Sequence, residues 1–376
     1  MSRSDHFRSG GTAMDLRQQR KRDHVRLAAA WQERRPSPAA AGPGAGWEDV
    51  HLVNHSLPEL ALAEIDLTTS VAGVRLAQPV VINAMTGGAD DVTAINRDLA
   101  AVAADLGLAM AVGSQTAGLR DPAVADSYRV VRRVNPKGII LANVGSDATP
   151  EQARAAVEMV EADLLQIHLN APQELRMPEG DRDFRGRLEA IARMVEEAPV
   201  PVVVKECGFG VSRDVAVLLH QAGVRAVDVS GRGGTNFAWI EDRRAGLSDP
   251  DPGLQNWGIP TACALAEVAA LGLPELDLIA SGGIRHGSDA AKALALGARA
   301  AAVAGPVLLR QQREGARGVM AYLQQFLTDL RAAMLLAGAG SVAAMGQVPV
   351  VVTGFTGEWC RLRGVDLMAL ANRSER

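Results

Sequence analysis

Short apolar runs alternate with longer amphipathic, alanine-rich segments along the chain from Pro79 onward. Polar residues hardly interrupt these runs, as is typical of parallel strands that are covered on both faces. The eight runs are Val80–Ala84, Leu108–Val112, Gly138–Asn143, Leu164–Leu169, Val202–Lys205, Ala226–Val229, Leu276–Ala280 and Ala300–Ala304. The segments that follow them predict helices near 92–106, 121–134, 150–161, 184–197, 212–222, 260–271, 287–296 and 306–337.

Eight βα units in succession predict an α/β protein that folds as a (β/α)8 TIM barrel with an N-terminal extension. A doubly wound sheet is the alternative, but it usually needs fewer units. The third helix has a clear start signal, because Thr149 is a good N-cap and Pro150 occupies the first helical position.

The flanking segments divide the chain further. Residues 1–15 are polar and are expected to be a disordered extension, and residues 16–78 to be an N-terminal arm and lead-in, with a helix over 17–34. Residues 48–78 could close the bottom of the barrel, which we place at 79–337, and residues 338–376 are expected to pack on it. The polar segment Gly246–Asn256 is either a lid or a surface excursion.

Composition narrows the function classes. The hydrophobic fraction is 48% but aromatic residues make up only 3%, so aliphatic side chains must fill the core. A net charge of −4 argues against general nucleic-acid binding. The three cysteines form no paired motif, and neither a membrane-spanning run nor a signal-peptide pattern is found. We therefore expect a soluble, cytoplasmic protein.

Polar and glycine residues collect directly after the predicted strands, where barrel enzymes place their chemistry. Gly282, Gly283 and Gly305 follow the last two strands, where barrels often bind a phosphate group, and Arg285 could add positive charge. A Rossmann fold is not supported, because no G-x-G-x-x-G motif follows the first strand.

Lys205 ends the fifth run, where burial of an unpaired ammonium group would be costly. Three roles remain open on this evidence. The lysine could face the edge of a flavin ring where negative charge collects on reduction, it could form a Schiff base as in barrel aldolases, or it could pair with Glu206 or a nearby aspartate.

The fourth run leads into a loop rich in functional groups. His168 could titrate near neutral pH, Asn170 could position a neighbour, Gln173 could hydrogen-bond a substrate, and Glu174 could bind a hard cation. The alternative is a polar loop with one satisfied core histidine.

Several motifs together resemble type 2 isopentenyl diphosphate isomerase. The most specific are Gln166-Ile167-His168-Leu169-Asn170 with Gln173-Glu174, and Met177-Pro178-Glu179-Gly180-Asp181-Arg182. The others are Arg20-Lys21-Arg22-Asp23-His24, Asn54–Glu59, Met85-Thr86-Gly87-Gly88, Gly231-Arg232-Gly233-Gly234-Thr235-Asn236-Phe237 and Ser281-Gly282-Gly283-Ile284-Arg285. The resemblance runs from about Arg20 to the C-terminus.

This resemblance implies interconversion of isopentenyl and dimethylallyl diphosphate in isoprenoid biosynthesis, with reduced FMN, Mg2+ and NADPH as the reductant. It also implies a homo-oligomer, either a tetramer or an octamer. The residues that would hold FMN are Met85, Thr86, Ser114, Asn143, Lys205, Ser230, Thr235, Gly282, Gly283, Arg285, Ala304 and Gly305.

The resemblance also assigns the substrate site. Arg20, Lys21 and His24 would reach the diphosphate, and His168, Asn170 and Gln173 would line the site, with Gln173 as the catalytic residue. Glu174 would bind the Mg2+ ion that bridges to the diphosphate. We expect the basic arm that carries Arg20 and Lys21 to lie outside the phosphate-binding loops.

Two positions depart from the family pattern. Thr116 stands where an arginine often binds the diphosphate, and Pro172 stands where a small or β-branched residue is expected. Another FMN barrel, such as a 2-hydroxyacid oxidase or dehydrogenase, is the leading alternative enzyme. It would need a histidine base and a carboxylate-binding arginine, and only Arg285-His286 offers such a pair. A flavin-binding pseudoenzyme is the non-enzymatic alternative, against which the presence of both Gln173 and Glu174 argues.

Overall fold

The computed structural model describes residues 13–34, 44–247 and 253–373, and within them eight parallel strands close into a barrel. The strands of the described chain are β1 (Val50–Leu52), β2 (Thr69–Val71), β3 (Val74–Leu76), β4 (Val80–Ile82), β5 (Ala109–Ala111), β6 (Ile140–Gly145), β7 (Leu164–His168), β8 (Val202–Lys205), β9 (Ala226–Asp228), β10 (Asp277–Ser281), β11 (Ala300–Val303) and β12 (Val350–Val352). The order around the barrel is β4 to β11, and β11 pairs with β4 to close it.

The helices lie outside the strands or in the loops that connect them. In the described residues they are α1 (Ala13–Glu33), α2 (Thr93–Leu106), α3 (Thr116–Arg120), α4 (Asp126–Val134), α5 (Pro150–Val160), α6 (Ala171–Arg176), α7 (Arg187–Glu197), α8 (Arg213–Gln221), α9 (Phe237–Arg244), α10 (Thr261–Ala269), α11 (Gly287–Ala295), α12 (Gly305–Leu336), α13 (Val342–Met345), α14 (Gly354–Leu362) and α15 (Leu367–Ala371). The barrel prediction is confirmed. The predicted start of α5 is also confirmed, since the Thr149 side chain accepts from the N–H of Gln152.

The strand ends lie within two residues of the prediction, and those of β8 match it. Strand β6 differs at both ends, because it begins at Ile140 instead of Gly138 and continues to Gly145 instead of ending at Asn143. The physical reason is pairing with β7, in which Val144 lies opposite Ile167 and Gly145 opposite His168. Pairing of neighbouring strands therefore extends β6 beyond its apolar run.

Two apolar layers build the core. An inner cluster of small and branched side chains fills the barrel, and Val71 and Leu76 from the β2–β3 hairpin pack against it. A larger cluster lies between the strands and the surrounding helices. Alanines such as Ala300 and Ala302 occupy the inner layer, so a narrow barrel is filled without aromatic residues.

Helix α1 begins at Ala13, so residues 13–15 belong to the arm and not to the expected extension, while residues 1–12 lie outside the described chain. The helix packs on α12 and α9 through buried side chains such as Val25 and Leu27. The Trp31 indole N–H donates to the carbonyl of Gly234 at 2.7 Å, and its ring lies 5.2 Å from that of Trp239. The second half of α1 is thus packed on the barrel, although the sequence of the helix is rich in charged residues.

The end of the described chain returns to the lead-in segment. Strand β12 pairs antiparallel with β1, with Val50 opposite Val352 and Leu52 opposite Val350. Within the part of the chain that the structure describes, no helix combines the length and apolar character needed to cross a membrane.

The segment after β9 is described in part, because residues 248–252 lie outside the described chain. Leu254–Asn256 forms a 3-10 helix, and Gln255 donates its side-chain amide to Asp242 at 2.8 Å. The carbonyl of Gln255 also accepts from the side chain of Asn236 at 2.7 Å. This half of the segment is therefore anchored to α9, and a lid role for the whole segment stays a prediction.

Candidate active site

A cavity opens at the carboxyl ends of the barrel strands, underneath α1. Its walls come from β4, the loops after β8 to β11, and the inner face of α1. The predicted site residues that line it are His24, Met85, Lys205, Ser230, Thr235, Gly282, Gly283, Arg285, Ala304 and Gly305. Most of the residues predicted to hold a flavin therefore surround one space.

The loop after β10 approaches its neighbours so closely that only glycine fits. Gly282 has a φ of +99°, and a Cβ atom there would lie 2.3 Å from the carbonyl oxygen of Gly231. Gly283 has a φ of +73°, and its Cβ would lie 2.4 Å from that of Ala45. Such a backbone can present its N–H groups to a phosphate at close range. The guanidinium of Arg285 donates to the carbonyls of Gly283 and Gly233, both at 3.2 Å, and so ties two glycine loops together.

Gly305 is the first residue of α12, at the other side of the predicted phosphate site. A Cβ at Gly305 would lie 2.2 Å from the side-chain nitrogen of Gln32, which also donates to the hydroxyl of Thr235 at 3.5 Å. The expectation that the arm lies outside the phosphate-binding loops is therefore wrong for its second half. Close packing of α1 on the barrel mouth, which charge patterning does not reveal, is the reason.

Lys205 lies at the floor of the cavity, in register with His168 on β7 and Asp228 on β9. Its ammonium group donates to the carbonyl of Glu206 at 2.7 Å and to the hydroxyl of Ser230 at 3.3 Å. Burial opposes its charge, but Cys207, Asp228 and Glu206 outweigh burial and raise the pKa of Lys205. The lysine is therefore charged, which favours the flavin-edge role and the ion-paired role over a Schiff base.

Ser230 supports this floor from a strained backbone. It has a φ of +34°, which is uncommon for a residue other than glycine. Its carbonyl accepts from the N–H groups of Gly208 and Gly210 at 2.9 and 3.2 Å, which hold the conformation. Strained residues of this kind concentrate at functional sites.

His168 and Asn143 meet beside this floor. Nδ1 of His168 lies 2.8 Å from the side-chain oxygen of Asn143. Burial, together with the positive charges of Lys205 and Lys21, lowers the pKa of His168 to about 3. The sequence-based expectation that this imidazole titrates near neutral pH is therefore wrong, and the ring is neutral.

A buried carboxylate that sequence reasoning missed holds the substrate side of the site together. Glu241 on α9 is 1% exposed, and its oxygens accept from His24 at 2.7 Å, from Gln173 at 3.0 Å and from Arg244. Burial lowers the pKa of His24, whereas the hydrogen bond to Glu241 and the negative charge of Glu241 act to raise it. Glu241 thereby joins the arm, α6 and α9.

The basic residues of the arm lie at the same mouth. Arg20 contacts Glu179 at 3.4 Å, and Arg244 pairs with the same carboxylate at 2.5 Å. Burial and the neighbouring Arg20 lower the pKa of Lys21 to about 8. An ammonium group whose charge is disfavoured in this way would gain from an anionic ligand.

Glu174 lies on α6, where two neighbours orient its carboxylate. Asn170 donates to one oxygen at 2.7 Å and the N–H of Asp181 to the other at 3.0 Å. Arg182 donates to the carbonyls of Glu174 and Met177 at 2.7 and 2.8 Å, so it braces the loop between them. Among the described residues no cluster of three or more acidic, histidine or cysteine side chains could enclose a metal. One carboxylate still fits Mg2+, which is commonly shared with substrate phosphates.

Some predicted residues lie beside the cavity rather than on its wall. The Ser114 hydroxyl lies 3.1 Å from that of Thr116, the residue that stands in place of the expected arginine. Thr86 is buried, and its hydroxyl has no hydrogen-bond partner among the described residues. This unpaired hydroxyl, the glycine loops and the charged Lys205 together fit FMN.

Two comparisons with known proteins concern the barrel. A family model described as FMN-dependent dehydrogenase matches residues 168–351. The structure of mandelate oxidase with (S)-4-hydroxymandelic acid has a TM-score of 0.60 over 90% of this chain and 98% of that one, at 17% identity. At that identity the likeness concerns the fold alone.

Curated relatives carry a more specific name. Isopentenyl-diphosphate delta-isomerase of Symbiobacterium thermophilum is 99% identical over 363 residues, or 96% of this chain and 100% of that protein. Its counterpart in Moorella thermoacetica is 50% identical over 84% of this chain and 90% of that protein, and the one in Bacillus pumilus is 45% identical over 93% and 96%. The chain therefore belongs to the isopentenyl-diphosphate delta-isomerase family.

Proposed function

We propose that this chain isomerises isopentenyl diphosphate to dimethylallyl diphosphate with reduced FMN and Mg2+. The observation that carries the proposal is the hydrogen bond from Gln173 to the buried Glu241, next to the cavity that fits FMN. The names of the curated relatives support the same reaction.

The reaction must add a proton to the terminal alkene carbon and remove one from the allylic carbon. Reduced FMN, when bound, would supply an electron-rich ring and an acid–base group next to the alkene. Because Nε2 of Gln173 donates to Glu241, the carboxamide oxygen remains to meet the substrate. Gln173 then orients the alkene or passes a proton, and the positive charge of Lys205 suits the anionic edge of a reduced flavin.

The diphosphate end requires neutralisation of charge. Arg20, Lys21 and His24 come to the mouth of the cavity on one face of α1. Glu174 would hold Mg2+ through one carboxylate, with diphosphate oxygens and water completing the coordination. Asn170 keeps that carboxylate oriented.

Three further properties belong to the proposal. NADPH would reduce the flavin, the enzyme would work in the cytoplasm, and it would assemble as a tetramer or an octamer. The reductant and the oligomer follow from the family resemblance, and the location follows from the three cysteines, which form no paired motif and suggest a reducing compartment.

An anaerobic turnover assay tests the proposed function. Purified protein with FMN, Mg2+ and NADPH is given isopentenyl diphosphate, and dimethylallyl diphosphate is measured. We expect turnover only with reduced flavin and loss of turnover when the metal is chelated. Protein that binds FMN but yields no product under these conditions would be a pseudoenzyme, and the proposal would be wrong.

A 2-hydroxyacid oxidase is the competing enzyme, and the geometry around β10 disfavours it. Arg285 and His286 are exposed, and both terminal nitrogens of the Arg285 guanidinium donate hydrogen bonds to backbone carbonyls. Arg285 lines the cavity but His286 does not, so the pair does not present a base beside a carboxylate-binding cation there. Oxygen consumption with 2-hydroxy acids in the same preparation checks this, and we expect none above background.

A further inference from the structure

Four buried side chains and the half-buried His168 form a hydrogen-bonded path across the top layer of the barrel. The Asp228 carboxylate accepts a hydrogen bond from the NH2 group of Asn83 at 2.8 Å, and the Asn83 side-chain oxygen accepts one from the NH2 group of Gln166 at 3.2 Å. The Gln166 side-chain oxygen accepts in turn from the NH2 group of Asn143 at 2.8 Å. The Asn143 side-chain oxygen lies 2.8 Å from Nδ1 of His168. The three carboxamides and Asp228 are all at most 2% exposed. We call this path the amide relay.

A backbone group fixes the direction of the relay. The N–H of Ala84 donates to the side-chain oxygen of Asn83 at 2.9 Å, and a backbone N–H can only donate. The oxygen of Asn83 is thereby identified, so the group that Gln166 turns toward Asn83 must be its NH2. The assignment does not depend on whether Asp228 is ionised.

The remaining orientations follow in sequence. Because the NH2 group of Gln166 points to Asn83, its side-chain oxygen faces Asn143. Asn143 must therefore donate a hydrogen bond to that oxygen through its own NH2 group. The oxygen of Asn143 then faces His168, so Nδ1 of the ring must carry the proton. Each carboxamide has one donor end and one acceptor end, and the relay allows a single arrangement of them.

We propose that the amide relay holds His168 as the neutral Nδ1–H tautomer, which leaves Nε2 as a hydrogen-bond acceptor. This inference rests on the proposed function, since it defines how His168 meets the substrate. His168 then accepts from a donor such as the Lys21 ammonium or a metal-bound water. It does not anchor the diphosphate as a cation or as a hydrogen-bond donor.

Burial and the positive charges of Lys205 and Lys21 outweigh a hydrogen bond to the backbone of Val144 and lower the pKa of His168. The ring therefore carries one proton, and the relay decides which of its two nitrogens holds that proton.

Nitrogen NMR of histidine-labelled holoenzyme tests the relay without any turnover. The signals of His168 are assigned by their loss in His168→Gln. We expect an unprotonated Nε2 and a protonated Nδ1 that stay unchanged from about pH 5 to about pH 8, where free imidazole titrates. A protonated Nε2, in either the neutral or the cationic ring, would overturn the proposal.

Cutting the relay should release the ring. In Gln166→Met, Asn143 loses the partner that holds its NH2 and can turn, so we expect signals of the Nε2–H tautomer to appear. Gln115→Met is the matched control, because Gln115 is also buried but donates to Ala156 and accepts from the backbone of Asn143. An unchanged tautomer in folded Gln166→Met would show that Asn143 alone sets it and would overturn the relay.

A second variant covers the case in which Gln166→Met does not fold. Asn143→Asp keeps the shape but presents only acceptors to His168, so Nδ1–H should persist and the pKa of His168 should rise. Loss of the Nδ1 proton in this variant would contradict the relay. These spectra fail or succeed independently of the turnover assay, so failure of the relay and failure of the proposed function are distinguishable.

Discussion

At the scale of single residues, Glu241 fixes the positions of several side chains of the candidate site before any ligand binds. Its buried carboxylate accepts hydrogen bonds from His24 on α1, from Gln173 on α6 and from Arg244 on its own helix α9. A carboxylate with several donors stays ionised in spite of burial, and the pKa of Glu241 is indeed lowered. The side chain of Gln173 is therefore held in a fixed orientation by its hydrogen bond to Glu241.

Replacing Gln173 with alanine should separate catalysis from binding. The variant loses the group that we propose lies at the alkene but keeps the residues proposed to bind the diphosphate. We therefore expect kcat to fall by about 100-fold or more, with little change in KM. Anaerobic steady-state kinetics measure both constants. Gln221→Ala, at an exposed position on α8, is the control and should behave as wild type. Normal turnover by Gln173→Ala would contradict the assigned role.

The Glu174→Gln variant should lose its response to Mg2+. The amide keeps the shape and can still interact with Asn170, but it lacks the charge that a hard cation prefers. A Mg2+ titration of activity checks this, together with the FMN content of the purified protein, which should not change. Glu189→Gln replaces an exposed carboxylate on α7 as the control. An unaltered titration curve for Glu174→Gln would place the metal elsewhere.

If Lys21 binds the diphosphate as proposed, the affinity for substrate should depend on pH. Burial lowers its pKa to about 8, so in the free enzyme the ammonium loses its proton as the pH rises through that value. We expect kcat/KM, which reports on the free enzyme, to fall above about pH 8. Lys21→Arg, whose guanidinium stays charged, should move this fall to higher pH. Identical profiles for the two proteins would exclude Lys21 as the titrating group.

At the scale of elements, α1 is the least expected feature. It was expected to lie outside the phosphate-binding loops, yet Trp31 and Gln32 reach the loops after β9 and β11. The barrel strands were predictable, because parallel strands buried on both faces read as continuous apolar runs. Helix α9 was not, since Glu241 and Asp242 resemble surface charges in sequence and only the fold buries them.

The arm should act on substrate affinity through its first half. Arg20→Ala with Lys21→Ala removes two cations from the mouth of the cavity, and removal of each charge-assisted hydrogen bond costs about 1.5–3 kcal/mol when the groups are desolvated. KM should therefore rise at least about tenfold, while kcat changes less. FMN content should be unaffected, because Gln32 and Trp31 remain in place.

A contrasting change in the second half of the arm completes that test. Trp31→Phe removes the hydrogen bond to Gly234 and should weaken FMN retention more than it raises KM. Flavin fluorescence during dilution measures the release. Equal effects of both variants on FMN would show that the two halves of the arm do not divide the ligands between them.

At the scale of the whole molecule, the β1–β12 sheet ties the lead-in segment to the C-terminal extension. Val350 is fully buried in this sheet, whereas its neighbour Val351 is 38% exposed. Val350→Ala should lower the free energy of unfolding by roughly 2 kcal/mol because less apolar surface is buried. Val351→Ala, on the same strand, should change it far less. Urea unfolding measures both, and equal decreases would mean that this sheet contributes no buried core.

The same pairing has a consequence for the order in which the protein is made. Val50 leaves the ribosome early, but its partner Val352 follows about three hundred residues later. At about 5–20 residues per second, synthesis of that stretch takes about 15–60 s. During this time the apolar edge of β1 has no native partner. We therefore expect the β1–β12 sheet to form only after β12 has emerged from the ribosome. Until then, we expect the nascent chain to be prone to aggregation through the unpaired edge of β1.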